Sequence, residues 1–68
     1  MPVKCKLSRL MGDRRIKMTE LAEATGLARS TIWHLYHDKS EKVEFRVLGA
    51  LCKYFNCQPG DLLVYEPD

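Results

Sequence analysis

Apolar residues recur along this chain at helical rather than strand spacing. Leu7, Leu10 and Met11 share one face of a segment running from about Leu7 to Arg15, with Gly12 weakening its last turns. A second helix is expected from about Thr19 to Thr25 and a third from Ala28 or Arg29 to Tyr36, where Ile32 and Leu35, three apart, lie on one face. Between these two stands Gly26, at a position where the chain takes a positive φ that a residue with a Cβ adopts only at a cost, followed by Leu27 to plug the corner. The polar run His37-Asp38-Lys39-Ser40-Glu41 fits a connection. Phe45 to Phe55 gives a fourth helix, its apolar face expected at Phe45, Leu48, Leu51, Cys52 and Phe55. Pro59 suits the first position of a short fifth helix, where a missing amide proton costs nothing. Leu62, Leu63, Val64 and Tyr65 close the pattern before Pro67. The expected fold class is all-α with five helices, free of internal repeats and low-complexity segments.

Met18 to His37 combines two short helices and a tight glycine turn, with apolar residues only where such a pair must touch itself. That arrangement is a helix-turn-helix. Ala22 sits where the helices cross, and axes this close leave room for little more than a methyl group. With Ile32 and Leu35 inward, Arg29, Ser30, Trp33, His34 and His37 are left on the outer faces of the second helix of the pair. These are candidate readers of DNA.

On these residues the chain resembles the DNA-binding domain of the phage Cro and C1 repressor family, also called the xenobiotic-response-element (XRE) type. The resemblance continues through Phe45-x-x-Leu48-x-x-Leu51 and Tyr54-Phe55-Asn56-Cys57-Gln58-Pro59-Gly60-Asp61-Leu62-Leu63, similar to that family's fourth and fifth helices. It implies a five-helix, lambda-repressor-like domain. It also implies that Arg29, Ser30 and His34 match positions that touch base edges in the major groove, with Ala28 close to the backbone or a thymine methyl. Arg29 can present two donors to O6 and N7 of one guanine, a pairing worth about 1–3 kcal/mol of discrimination; its alternative is a phosphate contact or a solvated surface. Ser30 and Thr31 lie near a helix start, where a hydroxyl can instead satisfy free amides, and Thr31 is expected to pack or touch phosphate. For His34 the alternatives are a base contact and plain solvent exposure. Trp33 departs from the polar residue the family tends to carry; it either lies on the sugar-phosphate rim or packs against Phe45 or the loop.

Two further departures matter. Many family members place a capping serine or threonine where Lys17 stands and a phosphate-holding glutamine where Met18 stands, so here Lys17 is expected to contact phosphate and Thr19 to cap or touch the backbone clamp. Many also pair an arginine on the first helix with a glutamate late in the third. Those positions correspond to Met11 and Tyr36, whose apolar contact replaces an ion pair without leaving a lone charge.

Composition narrows the remaining classes. At 68 residues the chain is expected to be one domain, 1–68 with its core at about 5–64, near the lower limit for a core without metal or disulfide. Marginal stability or help from a second subunit is therefore expected. The 46% hydrophobic content excludes a disordered tail, and no apolar run approaches the roughly 20 residues of a membrane span. Met1-Pro2-Val3-Lys4-Cys5-Lys6 lacks the apolar stretch of a secretory signal, so a cytoplasmic protein without a membrane partner is expected. Cys5, Cys52 and Cys57 form neither a CxxC pair nor a disulfide framework, and Cys52 and Cys57 are expected to serve as small core hydrophobes. His34 and His37 share a helical face, but no second close pair completes a zinc site, so neither metal nor cofactor is expected.

The net charge of +2 is modest for a nucleic-acid binder, and its distribution is more telling. Lys4, Lys6, Arg9, Arg14, Arg15 and Lys17 crowd the first helix and its following loop; Lys39, Lys42 and Arg46 follow the third. Position beside the motif favours phosphate contact over a merely solvated surface. At the far end, Leu62 and Leu63 can cap the small core. Val64 and Tyr65 are harder to bury that way, and together with Leu63 they form a candidate two-fold dimer contact or a short terminal strand pairing.

The expected function is a sequence-specific regulator of transcription that binds double-stranded DNA as a homodimer on a pseudo-palindromic operator, the helix at about 28–36 in the major groove. The alternative is a protein-interaction module with a small protein partner, such as the antitoxin of a toxin–antitoxin pair. Enzymatic activity is not expected: there is no Gly-rich phosphate loop, no nucleophile beside a base and no clustered metal ligands.

Overall fold

The five helices form close to the bounds the apolar pattern predicts in the computed structural model, which describes residues 3–67. They are α1 (Leu7–Arg14), α2 (Met18–Thr25), α3 (Arg29–Tyr36), α4 (Phe45–Phe55) and α5 (Pro59–Leu62). Each contributes one apolar face to a single cluster: Leu7 and Met11 from α1, Leu21 from α2, Ile32 and Leu35 from α3, Val47, Leu51 and Phe55 from α4, Leu62 from α5, with Leu27 filling the turn. Ala22 and Tyr36 pack against this cluster from its margin. Met11 is buried in this cluster and no charged side chain is buried among the described residues, so α1 and α3 meet without a charge to desolvate.

The turn of the helix-turn-helix is built by Gly26. Its φ of +75° reverses the chain, and its N–H donates to the Ala22 carbonyl at 2.9 Å. Thr25 braces the corner, its hydroxyl donating to the Leu21 carbonyl at 2.6 Å and accepting from the Leu27 N–H at 3.3 Å. A Cβ on Gly26 would meet nothing within 4 Å, so conformation alone sets the cost of adding one. Gly26→Ala is expected to destabilise by about 1–2 kcal/mol, and Gly26→Asn by clearly less, because asparagine tolerates the left-handed region; urea denaturation of the two variants checks this.

Three expectations are corrected. Helix α2 begins at Met18, one residue early, because the Glu20 carboxylate reaches back to accept the Lys17 N–H at 3.4 Å; Thr19 lies within the first turn and does not cap. Phe45 is 89% exposed instead of lying on the inner face of α4. The inner stripe there is Val47, Leu51 and Phe55, spaced by four, and Phe45 stands two residues before Val47, about 200° around the helix. Finally, the chain is not purely helical. Val3–Cys5 (β1) and Leu63–Tyr65 (β2) pair antiparallel in the register Val3 with Tyr65, Lys4 with Val64 and Cys5 with Leu63. The terminal strand pairing left open for residues 63–65 thus occurs within the chain. The Lys6 N–H extends the ladder to the Leu62 carbonyl at 2.6 Å, and the Lys6 ammonium meets Glu66 at 3.0 Å on the surface.

Helix α4 ends in a Schellman turn. Asn56 is left-handed (φ 52°), and the Cys57 N–H donates to the Cys52 carbonyl at 3.0 Å. Such a turn brings the two side chains at its ends together, and here both are cysteines, half-buried against the core as free thiols. Burial, and next to it the neighbouring Cys52, pushes the Cys57 thiol above its ordinary value, as burial does for Cys5. Neither is primed as a thiolate nucleophile.

Candidate nucleic-acid interface

Burial of Ile32 and Leu35 turns the opposite side of α3 to solvent, and with it Arg29, Ser30, Trp33, His34 and His37. Ala28, also exposed, takes the N-cap position in extended backbone (φ −65°, ψ 140°) and offers no side-chain cap. The first-turn amides of α3 therefore keep their donors, and the hydroxyls of Ser30 and Thr31 are not spent on capping. Thr31 is half-buried, nearer the core than its neighbours.

His34 is more constrained than its exposure implies. Its Nδ1 lies 2.6 Å from the Ser30 carbonyl, one turn back on the same helix. Trp33, 42% exposed, sets its ring edge-on to His34 with centroids 5.2 Å apart and leans on His37 at 4.4 Å. The aromatic partners of Trp33 are thus two histidines, one on its own helix and one at that helix's C-cap, rather than Phe45.

After α3 the chain turns sharply at Asp38, whose φ of 55° lies in the left-handed region. The Asp38 carboxylate accepts the Cys5 N–H at 3.1 Å, tying β1 to the end of α3, and the Lys39 N–H donates to the His34 carbonyl at 2.8 Å. Sequence reasoning did not single out Asp38, although an aspartate directly after a helix end is a recognisable left-handed-turn signal. The loop that follows and the start of α4 enclose, with Ser30, Thr31 and His34, a groove of about 560 Å³ whose charged lining is Lys39, Glu41, Lys42 and Glu44. Arg46 is exposed on the first turn of α4, and Lys17 and Thr19 are exposed at the start of α2.

The basic cluster around α1 is less free than its sequence implies. The Arg14 guanidinium donates to the Phe55 carbonyl at 2.6 Å and lies over the Phe55 ring, 5.3 Å from its centre, so it fastens α1 to the end of α4. Lys6 is paired with Glu66. In the strand pair, Leu63 is half-buried against the core, Val64 is half-buried, and Tyr65 is exposed beside Val3, its exposed register partner. These strands border a cavity of about 340 Å³ lined by Val3, Cys5, Leu35, Val43 and Leu63 and rimmed by Asp38, Glu41 and Lys42. Among the described residues no helix is long and apolar enough to cross a membrane, and no three His, Cys, Asp or Glu side chains converge on one point.

Residues 6–68 match the family model of the Cro/C1-type HTH DNA-binding domain. The chain belongs to the Cro/C1-type helix-turn-helix family. An uncharacterized HTH-type transcriptional regulator of Bacillus subtilis (strain 168), YozG, is 34% identical over 59 residues, which is 87% of this chain and 70% of that protein. The crystal structure of the transcriptional regulator VanUg superposes with a TM-score of 0.77 at 40% identity, covering 98% of this chain and 88% of the other. The matched span contains α2, the Gly26 turn and α3.

Proposed function

We propose that this protein is a transcriptional regulator that recognises a specific double-stranded operator as a homodimer, with α3 in the major groove of each half-site. The observation that carries the reading is the outer face of α3: Arg29, Ser30 and His34 are exposed, the hydroxyl of Ser30 is not used to cap the helix, and an uncapped helix start lies beside them. In this arrangement Arg29, Ser30 and His34 contact base edges, Ala28 approaches a thymine methyl or the backbone, and Lys17, Thr19, Thr31, Trp33, Lys39, Lys42 and Arg46 contact phosphate and sugar. Phosphate contacts set register and orientation, and base contacts set sequence.

Leu63, Val64 and Tyr65 form the dimer contact together with Val3. Exposure of Val3 and Tyr65 side by side supports this, since water-facing apolar pairs on a small domain are candidates for cover by a second subunit. A two-fold dimer presents its recognition helices about 34–36 Å apart, one turn of DNA.

Selection of bound duplexes from a random library tests the reading. A two-fold symmetric consensus, with two protomers per duplex, is the expected result. Salt-sensitive binding with no consensus contradicts it. Lys39→Ala is expected to weaken binding to operator and random DNA alike and to reduce the slope of log affinity against log salt by about one, measured by titration over a salt series.

A further inference from the structure

His34 presents a defined hydrogen-bonding character to whatever meets α3. Its Nδ1 is 2.6 Å from the carbonyl oxygen of Ser30, and a carbonyl oxygen only accepts, so Nδ1 carries the proton. In the neutral ring Nε2 is then a bare acceptor. Trp33 holds the ring from a second side, edge-on at 5.2 Å, and among the described residues no group hydrogen-bonds to Nε2. The side chain is exposed, preset in one tautomer, and has one open valence.

We propose that His34 is a specificity-determining residue that accepts from the exocyclic amine of cytosine or adenine while neutral and changes its preference to guanine when protonated. The inference rests on α3 being the recognition helix. In the major groove the groups that donate are cytosine N4 and adenine N6, so a bare Nε2 matches those two edges and is repelled by the acceptors of guanine. Protonation adds an N–H at Nε2 and leaves the bond from Nδ1 to Ser30 intact, so the ring keeps its place while its outward atom changes from acceptor to donor. That donor meets two adjacent acceptors on guanine, N7 and O6, against a single one on thymine (O4) or adenine (N7), and is opposed by the cytosine amine. The charged groups facing His34 are Lys39, Glu41, Lys42 and Glu44, two of each sign, from the loop and the start of α4. His37, the chain's other histidine, touches the same Trp33 ring from the next turn.

The test is selection from a random duplex library at about pH 8 and about pH 5.5, on either side of the ordinary histidine value near 6.5, with wild type, His34→Ala and His34→Gln. One position per half-site is expected to be cytosine or adenine at the higher pH and to favour guanine at the lower, by roughly fivefold or more for a single exchanged hydrogen bond. His34→Ala is expected to abolish the preference there at both values. His34→Gln, which carries donor and acceptor in one amide, is expected to take adenine at both. Positions that keep their base at both pH values show that the protein remains folded and that the operator reading holds. A consensus in which no position responds both to pH and to His34→Ala overturns the proposal while leaving the operator reading in place. No consensus at either pH overturns the operator reading and this proposal with it.

Discussion

Phe55→Ala is expected to abolish most of the stability of the domain. Phe55 is 2% exposed in the core, and its truncation removes the largest of the buried side chains. Transfer and cavity terms together cost about 3–5 kcal/mol for a buried phenylalanine. The change also removes the ring beneath the Arg14 guanidinium, although the Arg14 bond to the Phe55 carbonyl survives. A chain of this length has a total stability of roughly 3–10 kcal/mol, so the variant is expected to be partly or wholly unfolded at room temperature. Circular dichroism through a urea titration measures it, with Phe45→Ala as the matched control. Phe45, 89% exposed, is expected to change stability by no more than about 0.5 kcal/mol. Equal losses at the two positions would mean that α4 does not face the core through Val47, Leu51 and Phe55.

Arg29→Ala is expected to weaken binding to the selected operator roughly 5- to 150-fold, equivalent to about 1–3 kcal/mol at one base pair, while binding to random DNA changes little. Arg29 opens α3 and is exposed, so its removal leaves the fold intact and the loss is one of recognition. Arg29→Lys is expected to restore the charge without the discrimination, because an ammonium lacks the planar fork that bridges N7 and O6. Competition titrations with operator variants at the affected base pair read both effects. Equal losses on operator and random DNA would assign Arg29 to phosphate.

The helices were legible because α1, α3 and α4 each bury residues at helical spacing, α2 sets half-buried Met18 and Ala22 around buried Leu21, and Gly26 marks the turn with a conformation other residues resist. The outward set on α3 followed from the same period, since burying Ile32 and Leu35 leaves Arg29 and His34 on the other side. Phe45 was misplaced because its size favours burial while its phase does not; Val47, smaller, holds the inward position. A terminal strand pairing at residues 63–65 was one of two readings open, but its partner, Val3–Cys5, was not legible. Three residues display no period, and each strand's partner lies at the other end of the chain. Long-range polar contacts were equally hidden: nothing local in the sequence joins Arg14 to the Phe55 carbonyl or Cys5 to Asp38. The bond from His34 to Ser30 spans one helical turn, yet it depends on a rotamer that spacing does not specify.

The most direct measurement is an anisotropy titration of the selected duplex and a scrambled duplex at about 50 and 200 mM salt. A sequence-specific operator binder holds the selected duplex about a thousandfold or more tighter than the scrambled one, with both affinities falling as salt rises. A ratio near one at both salt concentrations would contradict sequence recognition by α3.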